Sequence, residues 1–469
     1  MPKFLELDWT EMEKLDASFV GRRVLIRGRW HQCRGTAKNA FILFRDGSNM
    51  IQAVLSVDNP VVSRPMVKFA MVLPKESVVD LEGEIVPAEL TSDLLSFKTF
   101  ELRVDRLWVV SEAKNQPPFS LDDAARPEEA SAPEENPLPR VALDTRLNAR
   151  IFDLRTTTNQ AIFKILSGVQ ALFTEFLEAR GFTRIFTPKL IPAASEGGAN
   201  VFQLNYFKQV AFLAQSPQLY KQMAVCGGLS KVYEVAPVFR AENSFTHRHM
   251  TEFISLDLET TFKSHYHEVM YLIGDLFKFI ITEIPRRFAA ECAVIKAQYP
   301  SPDFVVPDGP FRVIQYPEAV SILREAGYEM GDLDDISTEM ERRLGQLVRE
   351  KYGTDLYALD KFPAAVRAFY TMPDPDMPGY CNAYDVFVRG EEVLSGAQRI
   401  HCPDMLTQRV ISCGIDPKSL EDYINAFKYG APPHGGGAIG LERFVMLYFD
   451  LKNIRKTSMF PRDPRRVSP

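Results

Sequence analysis

The chain has 469 residues, 46% hydrophobic and 25% charged, enough to bury a large core and form two or three domains. Its net charge of −6 excludes a protein drawn to nucleic acid by overall charge, so any such contact needs local basic surface. The six cysteines (Cys33, Cys226, Cys292, Cys381, Cys402 and Cys413) form no C-x-x-C pair, which argues against a disulfide framework or a zinc ribbon and fits a reducing compartment.

The N-terminal stretch MPKFLELDWTEMEKLD is too acidic for a transit peptide and lacks the pattern of a secretory signal. No apolar run reaches about 18 residues, so no membrane span is expected. Residues 21–110 read as strands. RRVLIRGRW alternates, with Val24, Ile26 and Trp30 on one face and Arg27, Arg29 and His31 on the other. AFILFRDGSNMIQAVLSV is two apolar runs around Asp46-Gly47-Ser48-Asn49, a hairpin. ESVVDLEGEIV and FELRVDRLWVV add two more strands. Five short strands with a helix-sized gap at 60–72 predict a small barrel of the OB type over residues 1–112. Residues 121–140 carry six acidic residues, two basic ones and four prolines, a composition that builds no core, so 113–142 reads as a linker or hinge.

A second domain is expected over 143–469. Ile162, Ile165, Leu166, Val169, Leu172, Phe173, Phe176 and Leu177 repeat at helical spacing over 159–180, with Gly181 as the stop. FTRIFTPKL is expected as a strand ending at Pro188, and strand signals dominate to 262. Residues 265–290 and 335–352 read as helices, within a helical insertion around 263–375. Strands at 382–400 turn through Arg389-Gly390, and GGGAIG leads into a helix over 441–449. Strands without regular βαβ alternation predict an α+β domain, a large antiparallel sheet flanked by helices.

FRAENSFTHRHMTEF, 239–253, is more charged than a hairpin tip requires, and it joins two strand-like runs. On the return strand Phe253, Ser255 and Asp257 share a face, an aromatic, a hydroxyl and an acid that suit a ligand. Near the C-terminus, GGGAIGLERF pairs glycines that permit close backbone approach with Glu442-Arg443 at a helix start. These two stretches resemble motifs 2 and 3 of class II aminoacyl-tRNA synthetases, and the helix running into GFTRIFTP, with Pro188, resembles motif 1. SPQLYKQM, EVLSGAQRIH and KTSMFPRDPRR narrow the resemblance to the aspartyl-tRNA synthetases of the archaeal and eukaryotic cytoplasmic branch. It covers nearly the whole chain, barrel included.

The resemblance implies a cytoplasmic homodimer that joins L-aspartate to tRNA(Asp) with ATP and Mg2+. It implies that Arg240 and Arg443 are catalytic, and that Arg240, Ala241, Glu242, Arg248, His249, Met250, Phe253, Glu392, Gly440, Leu441, Glu442 and Arg443 bind ATP, with Phe253 and Arg443 on the two faces of adenine. Glu196, Gln218, Leu219, Tyr220, Lys221, Arg240, Ser395 and Arg399 would hold aspartate; Asp257 is a second candidate, after Glu196, for its ammonium group. A bidentate Arg399 beside Lys221 would prefer a carboxylate to an amide of the same shape. Glu392 and Ser395 match the family's metal pair, yet three residues apart they point to opposite faces of a regular strand unless a bulge intervenes. The pairs His247/His249 and His265/His267 lack cysteine company, and no zinc is expected. Phe41, Gln52 and Glu101, near basic Arg27, Arg29 and Arg34, would read the anticodon by stacking and hydrogen bonding. An asparaginyl-tRNA synthetase shares this architecture and is the nearest rival; a non-catalytic RNA-binding paralogue is the other, although Arg240, Glu392, Arg399 and Arg443 are all present.

Overall fold

The computed structural model describes residues 9–92, 94–127, 139–194, 201–306 and 309–469. The chain divides into two compact units, Met1–Arg126 with Ser131–Gln160, and Ala161–Pro469 with Pro127–Ala130.

In the first unit, β1 (Arg23–Gly35), β2 (Asn39–Asp46), β3 (Asn49–Ser56), β4 (Val78–Pro87) and β5 (Phe100–Ser111) close a barrel in the order β1-β2-β3-β5-β4. Closure removes the sheet edges, and alternation sends Ile26, Trp30, Ile42, Phe44, Ile51, Leu81 and Leu102 into one buried core. The two-residue turn Gly47–Ser48 joins β2 to β3, with Gly47 at φ +56° as its left-handed residue. The gap after β3 holds the helix Arg64–Val72, whose first turn is capped by Ser63 Oγ accepting from the Met66 N–H. Glu76 is the polar centre of this unit. Arg45 Nη2 and Arg155 Nη1 donate to it at 2.7 and 2.9 Å, and His31 Nδ1 lies 3.1 Å away. Burial works against its charge, but these partners hold its carboxyl down at about 2.

The second unit is built on an eight-stranded sheet. In chain order its strands are β6 (Thr183–Arg184), β10 (Lys231–Phe239), β11 (Glu252–Thr261), β12 (Val313–Gln315), β13 (Leu356–Asp360), β14 (Ala383–Val388), β15 (Glu391–Gln398) and β16 (His434–Gly440); β7 (Leu190–Ile191), β8 (Gln203–Tyr206) and β9 (Gln209–Leu213) form a small separate sheet. The spatial order is β12-β13-β14-β15-β16-β11-β10-β6, antiparallel through the middle and parallel only in the edge pairs. On one face Leu256 and Leu258 of β11, Leu394 of β15 and Ile439 of β16 bury against Ile165, Val169 and Phe173 of the helix Thr157–Glu178, Ile273 and Phe277 of the helix His267–Arg287, and Phe444 of the helix Leu441–Tyr448. The opposite face is polar and carries the site.

Three local expectations change. Of FTRIFTPKL only Thr183–Arg184 is a strand before the small sheet begins at Leu190. The helix Gln218–Cys226 interrupts the strand-rich stretch; its buried face carries the polar Gln218, Lys221 and Gln222, so burial leaves no apolar 3.6-residue period. The 263–375 region supplies β12 and β13 as well as helices. GGGAIG leads into the helix Leu441–Tyr448 as expected and is itself a central strand, where side chains have no room: a Cβ on Gly436 would stand 2.1 Å from the Leu258 carbonyl oxygen and 2.4 Å from Glu259 Oε2.

Candidate active site

Strand register lays the floor. Asp257 of β11 pairs with Ala438 of β16, Ala438 with Ser395 of β15, and Ser395 with Asp385 of β14. One row across four strands therefore reads Asp, Ala, Ser, Asp on a single face. The small Ala438 leaves space at the middle, and a polar cavity of about 490 Å³ opens there, lined among others by Gln218, Arg240, Asp257, Arg367, Glu392, Ser395 and Arg399. The register shifts between Val386 and Phe387, which face Leu394 and Glu392, so Val393 is the extra residue of a bulge. That bulge turns Glu392 and Ser395 toward the same cavity and resolves the conflict a regular strand would pose.

One end of the cavity is a buried ion cluster. Arg399 donates from Nε to Glu259 Oε1 at 2.8 Å, and from Nη2 to Glu259 Oε2 at 3.2 Å and Gln218 Oε1 at 3.1 Å. Lys221 Nζ lies 2.9 Å from Asp257 Oδ1 and 3.5 Å from Glu259 Oε2, close enough for ion pairing although its hydrogen-bond alignment is poor. Burial alone would push the Glu259 carboxyl up; Arg399 and Lys221 reverse this and hold it below the ordinary carboxylate range. The helix Gln218–Cys226 turns Gln218, Lys221 and Gln222 inward at helical spacing. Leu219 and Tyr220 face the other way and line a separate cavity of about 410 Å³ with Leu420 and Tyr423.

At the other end stands the charged loop. Arg240 lines the cavity with its guanidinium 5.5 Å from the centre of the Phe253 ring. Arg443 donates from Nη1 to the Glu392 carbonyl and from Nη2 to the Arg248 carbonyl, both at 3.3 Å, so one side chain ties the loop to β15. Arg248 is itself bound to Glu341 at 3.1 Å and Thr338 at 2.6 Å. His249 Nδ1 sits 2.6 Å from Thr246 Oγ1, and burial followed by the Arg443 charge pushes its imidazole down. Ala241 and Glu242 line a neighbouring cavity of about 520 Å³ with Thr251 and Arg462. Met250 and Leu441 are buried in the main core. Gly440 ends β16, and Glu442 is buried beneath, accepting from the Ile254 N–H at 3.1 Å with both oxygens. Burial pushes Glu442 up to about 7. The acids around Glu392 behave alike: burial raises Glu341 to about 7 and Asp385 to about 6, and the Glu392 charge adds to both.

The structure thus brings together Gln218, Arg240, Asp257, Glu392, Ser395 and Arg399 around one cavity, with Lys221 buried behind it. Glu196 lies outside the described residues. Three cavity or cluster residues escaped the sequence reading. Glu259 continues the alternation of Phe253, Ser255 and Asp257, and one more step of two would have found it. Arg367 and Tyr370 come from the irregular stretch 363–372, which carries no periodic signal. On the barrel, Phe41 is exposed and Gln52 Nε2 donates to Glu101 Oε2 at 2.6 Å, so these two share one patch. Arg27 is instead paired with Asp80, and Arg29 donates to the Glu76 carbonyl. The basic surface is correspondingly smaller than the sequence suggested. His267 Nε2 is 2.8 Å from Asp360 Oδ2.

A central antiparallel sheet, with a charged loop between two strands and a glycine-rich strand running into a helix, is the arrangement of class II aminoacyl-tRNA synthetases. Residues 142–464 match the family model described as tRNA synthetases class II (D, K and N). The chain is 50% identical over 446 residues to the cytoplasmic aspartate–tRNA ligase of Homo sapiens, covering 95% of this chain and 88% of that one. It is 47% identical over 467 residues to that of Caenorhabditis elegans, covering 99% and 88%. The aspartyl-tRNA synthetase structure of Entamoeba histolytica superposes with a TM-score of 0.90 at 44% identity, covering 99% of this chain and 93% of that one. An asparaginyl-tRNA synthetase of Pyrococcus horikoshii with asparaginyl-adenylate superposes at 0.85 with 29% identity, covering 98% and 100%. The chain belongs to the class II tRNA synthetases, within the aspartate–tRNA ligase family.

Glu442 gives this site a pH signature. A carboxyl raised from 4.5 to about 7 in the folded state costs no stability below pH 4.5, and its stabilising share is lost as pH rises through 7. Glu442→Gln should therefore melt higher than wild type at pH 8, by an amount worth at most about 3 kcal/mol, with the gap closing toward pH 5. Thermal melts across that range test it; a gap that does not change with pH refutes it.

Proposed function

We propose that the chain attaches L-aspartate to tRNA(Asp) in two steps in the cytoplasm. The aspartate α-carboxylate attacks the α-phosphate of ATP, giving aspartyl-adenylate and pyrophosphate. A ribose hydroxyl at the tRNA terminus then attacks the activated carbonyl, and AMP leaves. The observation that carries this reading is the cavity itself, with the Arg399–Glu259–Lys221–Asp257 cluster at one end and Arg240 and Glu392 at the other.

Each end suits one partner. Arg399 spends Nε and Nη2 on Glu259 and Gln218, leaving the N–H groups of Nη1 for a side-chain carboxylate. An asparagine amide there would set N–H against N–H. Asp257 lines the same end and offers a carboxylate to the substrate ammonium. Arg240 meets the charge that builds on the α-phosphate during attack, a task of positioned electrostatics rather than covalent work. Phe253 and Arg443 offer an aromatic face and a planar guanidinium to adenine.

Glu392 and Ser395 would hold Mg2+. The ion takes few protein oxygens and keeps waters and phosphates, and one carboxylate with one hydroxyl on a shared face fits that demand. Bound there with ATP, it would neutralise phosphate charge. Phe41, Gln52 and Glu101 are assigned to the anticodon. Phe186, 81% exposed in the motif 1 segment, supports a homodimer through that surface.

Three outcomes follow. ATP–pyrophosphate exchange should run with aspartate and not with asparagine, and Arg399→Gln should remove several kcal/mol of transition-state stabilisation for aspartate. Exchange supported by asparagine would favour the rival specificity; exchange absent with both would favour the non-catalytic reading. Gln52→Ala should lower tRNA charging, by about 1–3 kcal/mol of tRNA binding, while exchange stays near wild type; an equal defect in both assays would remove the anticodon assignment. Sedimentation at micromolar concentration should return twice the 53.2 kDa of one chain, and a monomer would count against the dimer.

A further inference from the structure

Arg367 has no part in the roles above, yet it occupies the middle of the site. Its guanidinium spans the register pair Asp385↔Ser395 on adjacent strands. Nη1 donates to Asp385 Oδ1 at 2.9 Å and to Ser395 Oγ at 2.8 Å, and Nη2 donates to Asp385 Oδ2 at 2.5 Å. The guanidinium carbon lies 3.8 Å from the centre of the Phe362 ring, so one planar group is fixed by stacking and by three hydrogen bonds. The side chain is only 13% exposed although the residue lines the cavity.

We propose that Arg367 is a positioning residue for the nucleotide half of the reaction, acting through Ser395. Ser395 is an exposed residue whose hydroxyl also bonds the Asp385 carboxylate. An arginine can only donate, so the bond from Arg367 occupies a lone pair of Oγ. With the hydroxyl proton directed to Asp385, the remaining lone pair turns toward the cavity, where Glu392 and Arg240 stand. The same guanidinium fastens one end of the wall formed by 365–371. The other end is tied to the backbone at the end of β15 and just beyond it, where Met372 N–H donates to Gln398 O at 3.0 Å and Ile400 N–H to Tyr370 O at 2.9 Å. A lysine would keep the positive charge beside Asp385 but could not span both partners in one plane.

This inference rests on the reading of Glu392 and Ser395 as the seat of the nucleotide's cation. Arg367→Lys, Ser395→Ala and the double variant separate the two. KM for Mg·ATP and for aspartate is read in exchange, and Mn2+ binding in the presence of a non-hydrolysable ATP analogue is read by electron paramagnetic resonance. Arg367→Lys is expected to raise KM for Mg·ATP about tenfold, to weaken Mn2+–analogue binding comparably, and to move KM for aspartate less than about threefold. In the Ser395→Ala background the same change should add less than about threefold, because the partner it acts through is gone. Equal losses for both substrates, or full additivity in the double variant, would make Arg367 a structural pin only and overturn the proposal. If Ser395→Ala raises KM for Mg·ATP while Arg367→Lys is silent, only this inference falls. If Ser395→Ala is itself silent, the cation seat falls and this inference with it.

Discussion

Glu259 has no exposed surface, and the rest of the site depends on its being charged there. An isolated carboxylate at such a position would take up a proton rather than stay ionised. Arg399 and Lys221 supply two cations, Asp257 a second acid, and Gln218 a hydrogen bond to each side of the Arg399–Glu259 pair. Removing one member of such a cluster leaves an uncompensated buried charge, at a cost of about 3–5 kcal/mol. A surface pair such as Arg286 with Glu283 is screened by solvent, so the two kinds of ion pair do different work. The cluster also joins three elements distant in sequence: β11 through Glu259, the end of β15 through Arg399, and the helix Gln218–Cys226 through Lys221. Gln222 extends it, with Nε2 at 3.1 Å from His434 and Oε1 accepting from Tyr423 at 2.9 Å.

Gly436 of β16 follows from that cluster. Glu259 reaches Arg399 across the strand between them, and the Glu259 carboxylate occupies the space a side chain at 436 would need. Gly396 likewise yields to the Tyr384 ring, 2.4 Å from where its Cβ would be. A run of glycine in a central strand weakens the strand taken alone. Here the weakness is offset by neighbours on both sides and by the apolar face that Ile439 turns to the core. The pocket is thus carved by omission of side chains as much as by their placement.

The two ends of the cavity are electrostatically unlike. The Glu259 end is balanced, cation against carboxylate, with Nη1 of Arg399 left to donate. Around Glu392, the acids Asp385 and Glu341 are pushed up by burial and by the Glu392 charge, while Arg240, Arg443 and Arg367 stand close by. Charge of both signs held at incomplete balance is the environment in which a highly charged ligand gains most from binding. The barrel unit keeps its own core and its own polar centre at Glu76.

Much of this was legible from one dimension, and the reasons are physical. Alternation at period 2 gave the barrel strands, and helical spacing gave Ile162 to Leu177, because in each case one buried face imposes a repeat on the chain. The short motifs of the charged loop and the glycine run pointed to the family because close approach and stacking demand particular residue types. The same alternation, followed one step further, reaches Glu259. What the chain order could not decide is which residues meet across strands. Asp257, Ala438, Ser395 and Asp385 form a row only through register, and a single bulge at Val393 determines that Glu392 joins them. Likewise Arg367 sits in an irregular stretch whose local sequence has no period, and its partners are 18 and 28 residues away. Local sequence determines the elements through the periodicity of burial; the tertiary structure alone determines their register, and register is what assembles a polar site from residues with no local pattern of their own.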